Sequence, residues 1–342
     1  MKDKLVIVDL WGSWQHQSIN QKYIDYLESF RQIKLIEFND ILKTSGEKIT
    51  LKTNNKQRGR IINRFQYFYN IVRVTRKIHK EDKEIFILCY DSISFILFYL
   101  LNYDKRIILF QHQHINDLKK MIHKFIIKLY AKNVEHIVLE EKFKQIFLKK
   151  IGVYETKVHV CHHPLFSSNV NLQKTKAKNV VSISNSYEKE MLKKFISKIK
   201  KINGINFLIR SREESFRNEY IVIENRKYNL EELRKIYEKA NIVIVIVEKE
   251  NFMNRISGTI FDGLSNNCFI FSNDIDIARI IKQKYPNIIE IYDTIDDLIY
   301  KIKNINLEDK EKEFLEDLKR FKENYSDKTI INELMKVFGG KI

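Results

Sequence analysis

The chain has 342 residues, a length that exceeds one ordinary domain and lets two domains each bury a core of their own. Its formal net charge of +17 calls for an anionic partner: a nucleotide diphosphate, a phosphate-bearing acceptor, an anionic membrane surface or nucleic acid. Lysine, isoleucine and asparagine are abundant throughout, so compositional bias is a second source of that charge.

The first strand is expected over Leu5–Asp9, its apolar run too short for a signal sequence and broken by Asp9. A helix over Ile19–Phe30 and a strand over Lys34–Phe38 complete a βαβ opening. After a polar stretch, Lys43–Gly59, come a basic helix (Arg60–Lys80), a strand (Ile85–Cys89), a helix (Ser92–Leu101) and a strand (Arg106–Phe110). A helix over Asp117–Ala131, a strand over His136–Leu139, a helix over Glu141–Ile151 and a strand over Lys157–Cys161 close a first domain, 1–166. Ser92–Leu101 is the most apolar later segment and about half the length needed to cross a bilayer, so any membrane contact is expected to be peripheral. Cys89, Cys161 and Cys268 are scattered beside apolar runs and read as buried free thiols in a reducing compartment. No cysteine or histidine spacing fits zinc, so no metal site is expected.

Residues 167–178, SSNVNLQKTKAK, have linker composition. A second α/β domain, 179–325, opens with a strand (Asn179–Ile183), a helix (Glu188–Lys201), a strand (Asn206–Arg210) and a short strand (Tyr220–Ile223). In Asn229–Val247 a helical spacing of Leu230, Leu233 and Ile236 leads into a continuous β-branched run, read as a fully buried strand. Next come RISGTIFDGLSNNCFIFSND (Arg255–Asp274) and helices over Ile275–Lys284, Ile295–Ile302 and Glu308–Phe338, with 326–342 as a C-terminal helical piece. Helix, buried strand, loop, helix, strand is a parallel-sheet rhythm, and ligands gather outside the carboxyl ends of such strands. The loop Glu248–Ser257 follows such an end, and Asp262 is expected in the first turn or so of the next helix.

Here the chain resembles the GT-B glycosyltransferases, particularly the retaining group with two glutamates separated by seven residues. Aligned without gaps, the second glutamate falls on Asp262, the first on Asn254, the family's glycine-containing loop on Asn254–Gly258, its following strand on Cys268–Ser272 and its proline on Phe269. Asn254 can hydrogen-bond a sugar hydroxyl but carries no charge. SGTIFDGLS is also similar to the wording of polysaccharide-assembly branches. The resemblance implies an α/β GT-B fold, two Rossmann-like domains facing a cleft, with the acceptor held by the first and a nucleotide-sugar by the second. It further implies metal-independent, hexosyltransferase-like chemistry in surface polysaccharide biosynthesis, with no cofactor, because the nucleotide-sugar is a substrate. The acceptor would be a glycan or lipid-linked, the location cytoplasmic or peripheral on the inner face of the cell membrane, and the last helix would cross back to the first domain.

Candidate residues follow from the same resemblance. Asp262 would bind ribose hydroxyls, although an acidic residue placed near a helix N-terminus is an equal reading. Lys189, in a Tyr187-Glu188-Lys189 loop like the family's Glu-Lys-Gly, would face the diphosphate with Arg210, Arg212 and Arg255. Ser257, Gly258 and Thr259 open the helix and would offer backbone amides to the same anion. Gly12, in Trp11-Gly12-Ser13, permits close backbone approach to phosphate or acceptor. The donor-sugar histidine would be His112 or His114, in Gln111-His112-Gln113-His114, with a pair of exposed loop histidines as the alternative. His16 is a candidate general base, with packing or capping as the alternative. His162-His163-Pro164 reads as a turn. Helices Lys56–Lys80, with Phe65, Tyr67, Phe68 and Tyr69, and Leu118–Lys132 mix cations with apolar residues, as interfacial helices do and ordinary sheet-covering helices also do. The competing functions are a catalytically inactive GT-B-like partner subunit, which Asn254 favours, and a basic nucleic-acid-binding protein, for which no recognition signature is present.

Overall fold

The computed structural model describes residues 4–10, 16–52, 60–112, 114–166, 178–184, 186–200, 202 and 204–339, without the side chains of 60–64 and 230. Gly12, Gln113 and the expected linker residues 167–177 lie outside the described residues. The chain divides into two compact units, residues 1–164 with 327–342, and residues 165–326.

Unit 1 begins β1 (Lys4–Asp9), α1 (Gln17–Glu28), β2 (Gln32–Phe38), β3 (Glu47–Leu51), α2 (Arg60–Thr75), β4 (Glu84–Cys89) and α3 (Phe95–Leu101). It continues through β5 (Arg106–Phe110), α4 (His114–Asp117), α5 (Met121–Ala131), β6 (Glu135–Val138), α6 (Glu141–Ile151) and β7 (Val158–Val160). The strands pair in the order β3-β2-β1-β4-β5-β6-β7, every pairing parallel. Leu5, Val6, Ile7 and Val8 are all fully buried, as a strand covered on both faces requires. α1 turns Ile19, Tyr23, Ile24 and Leu27 inward, a helical stripe. The edge strand β3 lies inside Lys43–Gly59, where polar residues carry no strand pattern; pairing of Phe38 with Leu51 and Ile36 with Ile49 forms it. The helix expected over Asp117–Ala131 is two helices, because Lys120 turns extended (φ −86°, ψ 120°) just before α5.

Unit 2 runs β8 (Asn179–Ser182), α7 (Lys189–Ile199), β9 (Asn206–Arg210), β10 (Phe216–Arg217), β11 (Ile221–Glu224), α8 (Leu230–Lys239) and β12 (Ile242–Val245). After these come α9 (Gly258–Ser265), β13 (Phe269–Asn273), α10 (Asp276–Lys284), β14 (Ile289–Tyr292), α11 (Ile295–Asn304) and α12 (Glu311–Asn324). Its order is β10-β11-β9-β8-β12-β13-β14, parallel except for β10 on β11. Without β10 this is the strand order of unit 1's first six strands, the doubly wound arrangement of a dinucleotide-binding fold. Asn229 and Glu232 form a reciprocal capping box at the start of α8.

The single helix expected over Glu308–Phe338 breaks at Tyr325-Ser326, where the Tyr325 ring is buried against Phe261 and Phe321, 5.3 and 4.5 Å between centroids. The remaining helix, α13 (Asp327–Phe338), belongs to unit 1. Tyr26 donates to Asp327 (2.6 Å), the His162 backbone N–H donates to Glu333 (2.9 Å), and Arg106 donates to the Val337 carbonyl (2.7 Å). Arg31 donates to the Phe338 carbonyl.

The amino-terminal ends of the unit 1 strands carry a row of ion pairs. Lys34 meets Asp82 at 2.9 Å with both side chains buried, Arg31 meets Glu84 at 2.6 Å, Arg106 joins Glu84 to Glu135, and His159 reaches Glu135 at 3.0 Å. Burial raises the Glu135 carboxyl, but hydrogen bonds from His159 and Arg106 outweigh it and bring its pKa down to about 2.

Candidate functional site

In unit 2 the strand order reverses between β8 and β12, so the loops leaving their carboxyl ends, 183–188 and 246–257, flank the switch point where a ligand is expected. The Glu188 N–H donates to the Ile246 carbonyl (3.2 Å), joining the two loops. Asn273 clamps the start of the second: its amide donates to the Val247 carbonyl (2.6 Å) and accepts from the Val247 N–H (3.3 Å). Tyr292 donates to the Val245 carbonyl (2.9 Å).

Farther along this loop, Asn254 takes a left-handed backbone (φ 55°), is buried, and donates its N–H to Asp276 (2.9 Å). The Arg255 guanidinium stands 5.3 Å from the Phe252 ring centre, and burial lowers its pKa. Ser257 holds the N-cap position without a side-chain cap bond, and Gly258 and Thr259 begin α9. Asn254, Arg255, Ser257, Gly258, Thr259 and Asp262 therefore share one loop-to-helix junction beside the switch point.

Asp262 is the fifth residue of α9, just past the first turn, about where the sequence reading places it. The attraction of a helix N-terminus fades within the first turn, which weakens the reading of Asp262 as a helix-end residue. It is half-buried, and among the described residues no side chain pairs with or hydrogen-bonds its carboxylate. Burial pushes its carboxyl up to about 7. Its charge acts on the buried Tyr237 hydroxyl, whose pKa is raised first by its own burial and then by Asp262.

Two contacts fix the helix that carries it. A Cβ at Gly263 would lie 2.7 Å from Ile270 Cδ1 and 3.0 Å from Val243 Cγ2, so glycine lets α9 lie close on β12 and β13. At the other end the buried Lys322 donates to the Ser265 carbonyl (2.8 Å) and Asn267 Oδ1 (2.6 Å), a cation on the carbonyl end of a helix.

The remaining cations are more committed than the sequence reading implies. Lys189 is not in a loop: Glu188 caps α7 by accepting from the N–H groups of Glu190 and Met191, and Lys189 is the first helical residue, 2.6 Å from Glu213. Arg210 ends β9, is buried, and spends its Nε–H on the Arg226 carbonyl (2.8 Å). That departs from a guanidinium fork wholly given to phosphate; burial, then the nearby Arg212, lower its pKa. Arg212 is exposed, its backbone N–H donating to the Tyr187 hydroxyl (2.8 Å).

In unit 1 the corresponding reversal lies between β1 and β4. His16 sits at the N-cap of α1 with a left-handed backbone (φ 70°), and its ring stacks on His112 at 4.4 Å. His112 is buried, its Nε2 3.0 Å from Asn20 Oδ1, while Asn20 donates to Cys89 Sγ at 3.3 Å. His114 is placed apart from this pair, stacked on Tyr90 (3.9 Å) with its Nε2–H on the Tyr90 carbonyl (2.9 Å). Burial lowers its pKa. Gln111 spans Tyr90 (3.0 Å) and His136 (2.9 Å). His163 is more than a turn residue: it is buried, its Nδ1–H donates to the Pro164 carbonyl (2.8 Å), and burial pushes its pKa down to about 4, with the charge of His16 adding to the shift.

Asn20, Tyr237, Asn273 and Lys322 escape the sequence reading, which takes His163 only as part of a turn. Asn20 alone carried a signal, since it falls on the buried stripe of α1 with Ile24 and Leu27, where a polar residue needs a partner. Among the described residues no group of three or more His, Cys, Asp or Glu side chains could hold a metal ion. No helix among them is long and apolar enough to cross a membrane.

No protein-family profile matches this sequence, and no curated protein matches it. Solved structures do. Sucrose-phosphate synthase from Thermosynechococcus elongatus superposes with a TM-score of 0.70 at 8% identity, over 99% of this chain and 98% of the other. Anabaena HepE in complex with UDP-glucose gives 0.69 at 10% identity, over 99% and 100% of the two chains. The lipopolysaccharide outer core galactosyltransferase WaaB, in its apo form, gives 0.60 at 13% identity, over 98% and 99%. With two doubly wound sheets and these neighbours, the fold is α/β of the GT-B type.

Proposed function

We propose that this protein is a glycosyltransferase that takes a sugar from a nucleotide-sugar donor and passes it to a glycan or lipid-linked acceptor in surface polysaccharide assembly. The observation that carries the reading is Asp262: a half-buried carboxylate that no side chain among the described residues pairs with or hydrogen-bonds, on a helix beside the switch point of unit 2. Ribose hydroxyls would supply the donors it lacks. In this reading the bond between the anomeric carbon and the diphosphate oxygen breaks, its electron pair leaving with the nucleotide, and the acceptor oxygen bonds to the anomeric carbon as its proton passes to the departing phosphate oxygen or to His16, the candidate base. Arg255, Arg212, Lys189 and Arg210, with the amides of Ser257, Gly258 and Thr259, would stabilise the charge growing on the diphosphate without a metal. Asn254 would offer a neutral hydrogen bond to the sugar, and Gly12, His16, and His112 or His114 would serve the sugar or acceptor. HepE, of the same fold, has been crystallised with UDP-glucose, and WaaB by its description transfers galactose; both support the reading.

The proposed setting is cytoplasmic, with reversible docking on the inner face of the membrane. Its support is an exposed apolar row in unit 1, Met121, Ile122, Phe125 and Leu129 on α5, with Leu100 and Leu101 on the neighbouring α3 and Phe65 and Tyr69 on α2. α5 has lysines at 124 and 128 and no carboxylate.

Calorimetric titration of a panel of nucleotide sugars tests the function. Asp262→Ala is expected to lose about 1.5–3 kcal/mol of binding, the worth of hydrogen bonds to a charged group, with unchanged circular dichroism. A variant that binds like wild type removes Asp262 from the site. Asn254 in place of a glutamate favours a second reading, the inactive partner subunit; nucleotide-sugar binding without turnover or donor hydrolysis would establish that one.

A further inference from the structure

We propose that the donor sugar is itself acidic, a nucleotide-activated uronic acid whose carboxylate is gripped by Arg255 beside Asn254. The proposal rests on the transferase reading of unit 2 and narrows the part of Arg255 in it, from the diphosphate to the sugar.

Side chains at one loop-to-helix junction have hydrogen-bonding capacity that the protein does not use. Asn254 is 5% exposed; its backbone N–H is engaged by Asp276, yet among the described residues nothing hydrogen-bonds its side-chain amide. Arg255 is half-buried, its guanidinium carbon 5.3 Å from the centre of the Phe252 ring, and among the described residues nothing hydrogen-bonds the guanidinium and no carboxylate pairs with it. Ser257 is buried, and its hydroxyl makes no cap bond. A guanidinium drawn out of water without a counter-charge is unfavourable, and burial accordingly lowers its pKa with no carboxylate to restore it. Other cations of unit 2 differ: Lys189 has Glu213 at 2.6 Å, Arg226 has Glu224 and Glu232, and Arg279 has Asp274. The anion that Arg255 needs is one that a ligand brings, and a planar fork beside an aromatic ring suits a planar carboxylate held by two parallel hydrogen bonds.

A donor offers two anions to such a group, its diphosphate and an acid on its sugar. The order of the donor's parts favours the sugar. Asp262 is the ribose partner in the transferase reading and the amides of Ser257, Gly258 and Thr259 the diphosphate donors, so ribose and diphosphate follow α9 back toward its start. Asn254 and Arg255 extend that line past the diphosphate, where the sugar comes next. The sequence points the same way. The alignment sets a glutamate of the family on Asn254, and an amide followed by an arginine turns a place that repels a carboxylate into one that attracts it. Asn254, fixed by Asp276 with a left-handed backbone, can donate its NH2 to the same group.

The test is calorimetric titration of the full chain at about pH 8, where Asp262 is ionised. The probes are matched pairs, UDP-glucuronic acid against UDP-glucose and GDP-mannuronic acid against GDP-mannose, whose members differ only in a carboxylate or a hydroxymethyl group on the sugar, together with UDP and GDP alone. Wild type should bind the acidic member of one pair more tightly by about tenfold or more, the worth of a hydrogen bond to a charged group. In Arg255→Met that ratio should fall to within about twofold of unity, and Arg255→Lys, which keeps the charge and loses the fork, should lie between. Circular dichroism checks that the variants are folded, and the wild-type ratio needs no variant. Equal affinity for both members of each pair in wild type overturns the proposal and leaves the transferase reading standing. An Arg255→Met chain that loses acidic sugar, neutral sugar and bare nucleotide in equal measure overturns it too, and returns Arg255 to the diphosphate. If wild type binds no nucleotide and no nucleotide sugar, the transferase reading and the proposal fall together.

Discussion

Unit 1 closes the carboxyl edge of its sheet with its own side chains: His112 on Asn20, His163 on the Pro164 carbonyl, Gln111 between Tyr90 and His136. Unit 2, with the same strand order, leaves at that edge a carboxylate that no described side chain hydrogen-bonds and a helix start whose cap residue makes no side-chain cap bond. In the proposed reading the buried rings of unit 1 suit a neutral ligand, and the Asp262 carboxylate, on the helix that follows the Arg255 loop, suits one rich in hydroxyls. One topology thus carries two chemistries, decided by a handful of loop residues.

The comparison is broken most severely at the other edge of unit 1. Asp82→Ala leaves the buried Lys34 amine without its carboxylate, and unpairing a buried charge costs about 3–5 kcal/mol. Urea unfolding followed by far-UV circular dichroism should register the loss. A shift worth less than 1 kcal/mol would mean that the pair is dispensable.

Acid gives the next largest effect. Because the Glu135 carboxyl is lowered from 4.5 to about 2 in the folded chain, its contribution is complete above pH 4.5 and is lost as pH falls toward 2. The shift corresponds to about 3 kcal/mol, read as a falling urea midpoint that Glu135→Gln should flatten. Asp262 has the opposite sign: its pKa is raised from 3.8 to about 7, so the folded state gains stability from it at low pH and loses that gain as pH rises through this interval.

That same carboxyl sharpens the comparison from the unit 2 side. If ribose hydroxyls need the ionised form, apparent Kd should rise about tenfold per pH unit below 7 and level off above about 8. Calorimetry at pH 6, 7 and 8 reads this, and Asp262→Asn should remove the slope.

The smallest effect per residue concerns the outer helices of unit 1. Vesicles containing anionic lipid should bind the protein at low salt, and each of Arg76, Lys124, Lys128 and Lys132 replaced by glutamine should weaken binding by about 1 kcal/mol. Co-sedimentation measures it; wild-type protein left in the supernatant ends the idea of membrane docking.

The parallel-sheet rhythm was legible because buried parallel strands are long β-branched runs: LVIV in β1 and IVIV in β12 cannot face water on either side. Strands made by tertiary pairing were not. β3 is polar and on an edge, β10 has two residues, and β14 occupies four residues between helices. The junction from Asn254 to Asp262 was readable as a single stretch of sequence. Asn20 and His112 are 92 positions apart, so no local pattern joins them, and the left-handed backbone of His16 is set by what it packs on.

The return of α13 to unit 1 also bears on how the chain is made. Unit 2 is one uninterrupted segment, 165–326, and can assemble as soon as it has been synthesised. Unit 1 cannot finish at that stage. Tyr26 waits for Asp327, 301 positions away, and Arg31 waits for the Phe338 carbonyl, 307 positions away. Until α13 arrives, the His162 N–H lacks its acceptor, Arg31 and Arg106 keep their carboxylates but lack the α13 carbonyls, and the apolar side of Phe86 lacks Phe338. The half of the molecule translated first is therefore the half completed last, and a chain cut short before Asp327 would carry a finished unit 2 on an unfinished unit 1.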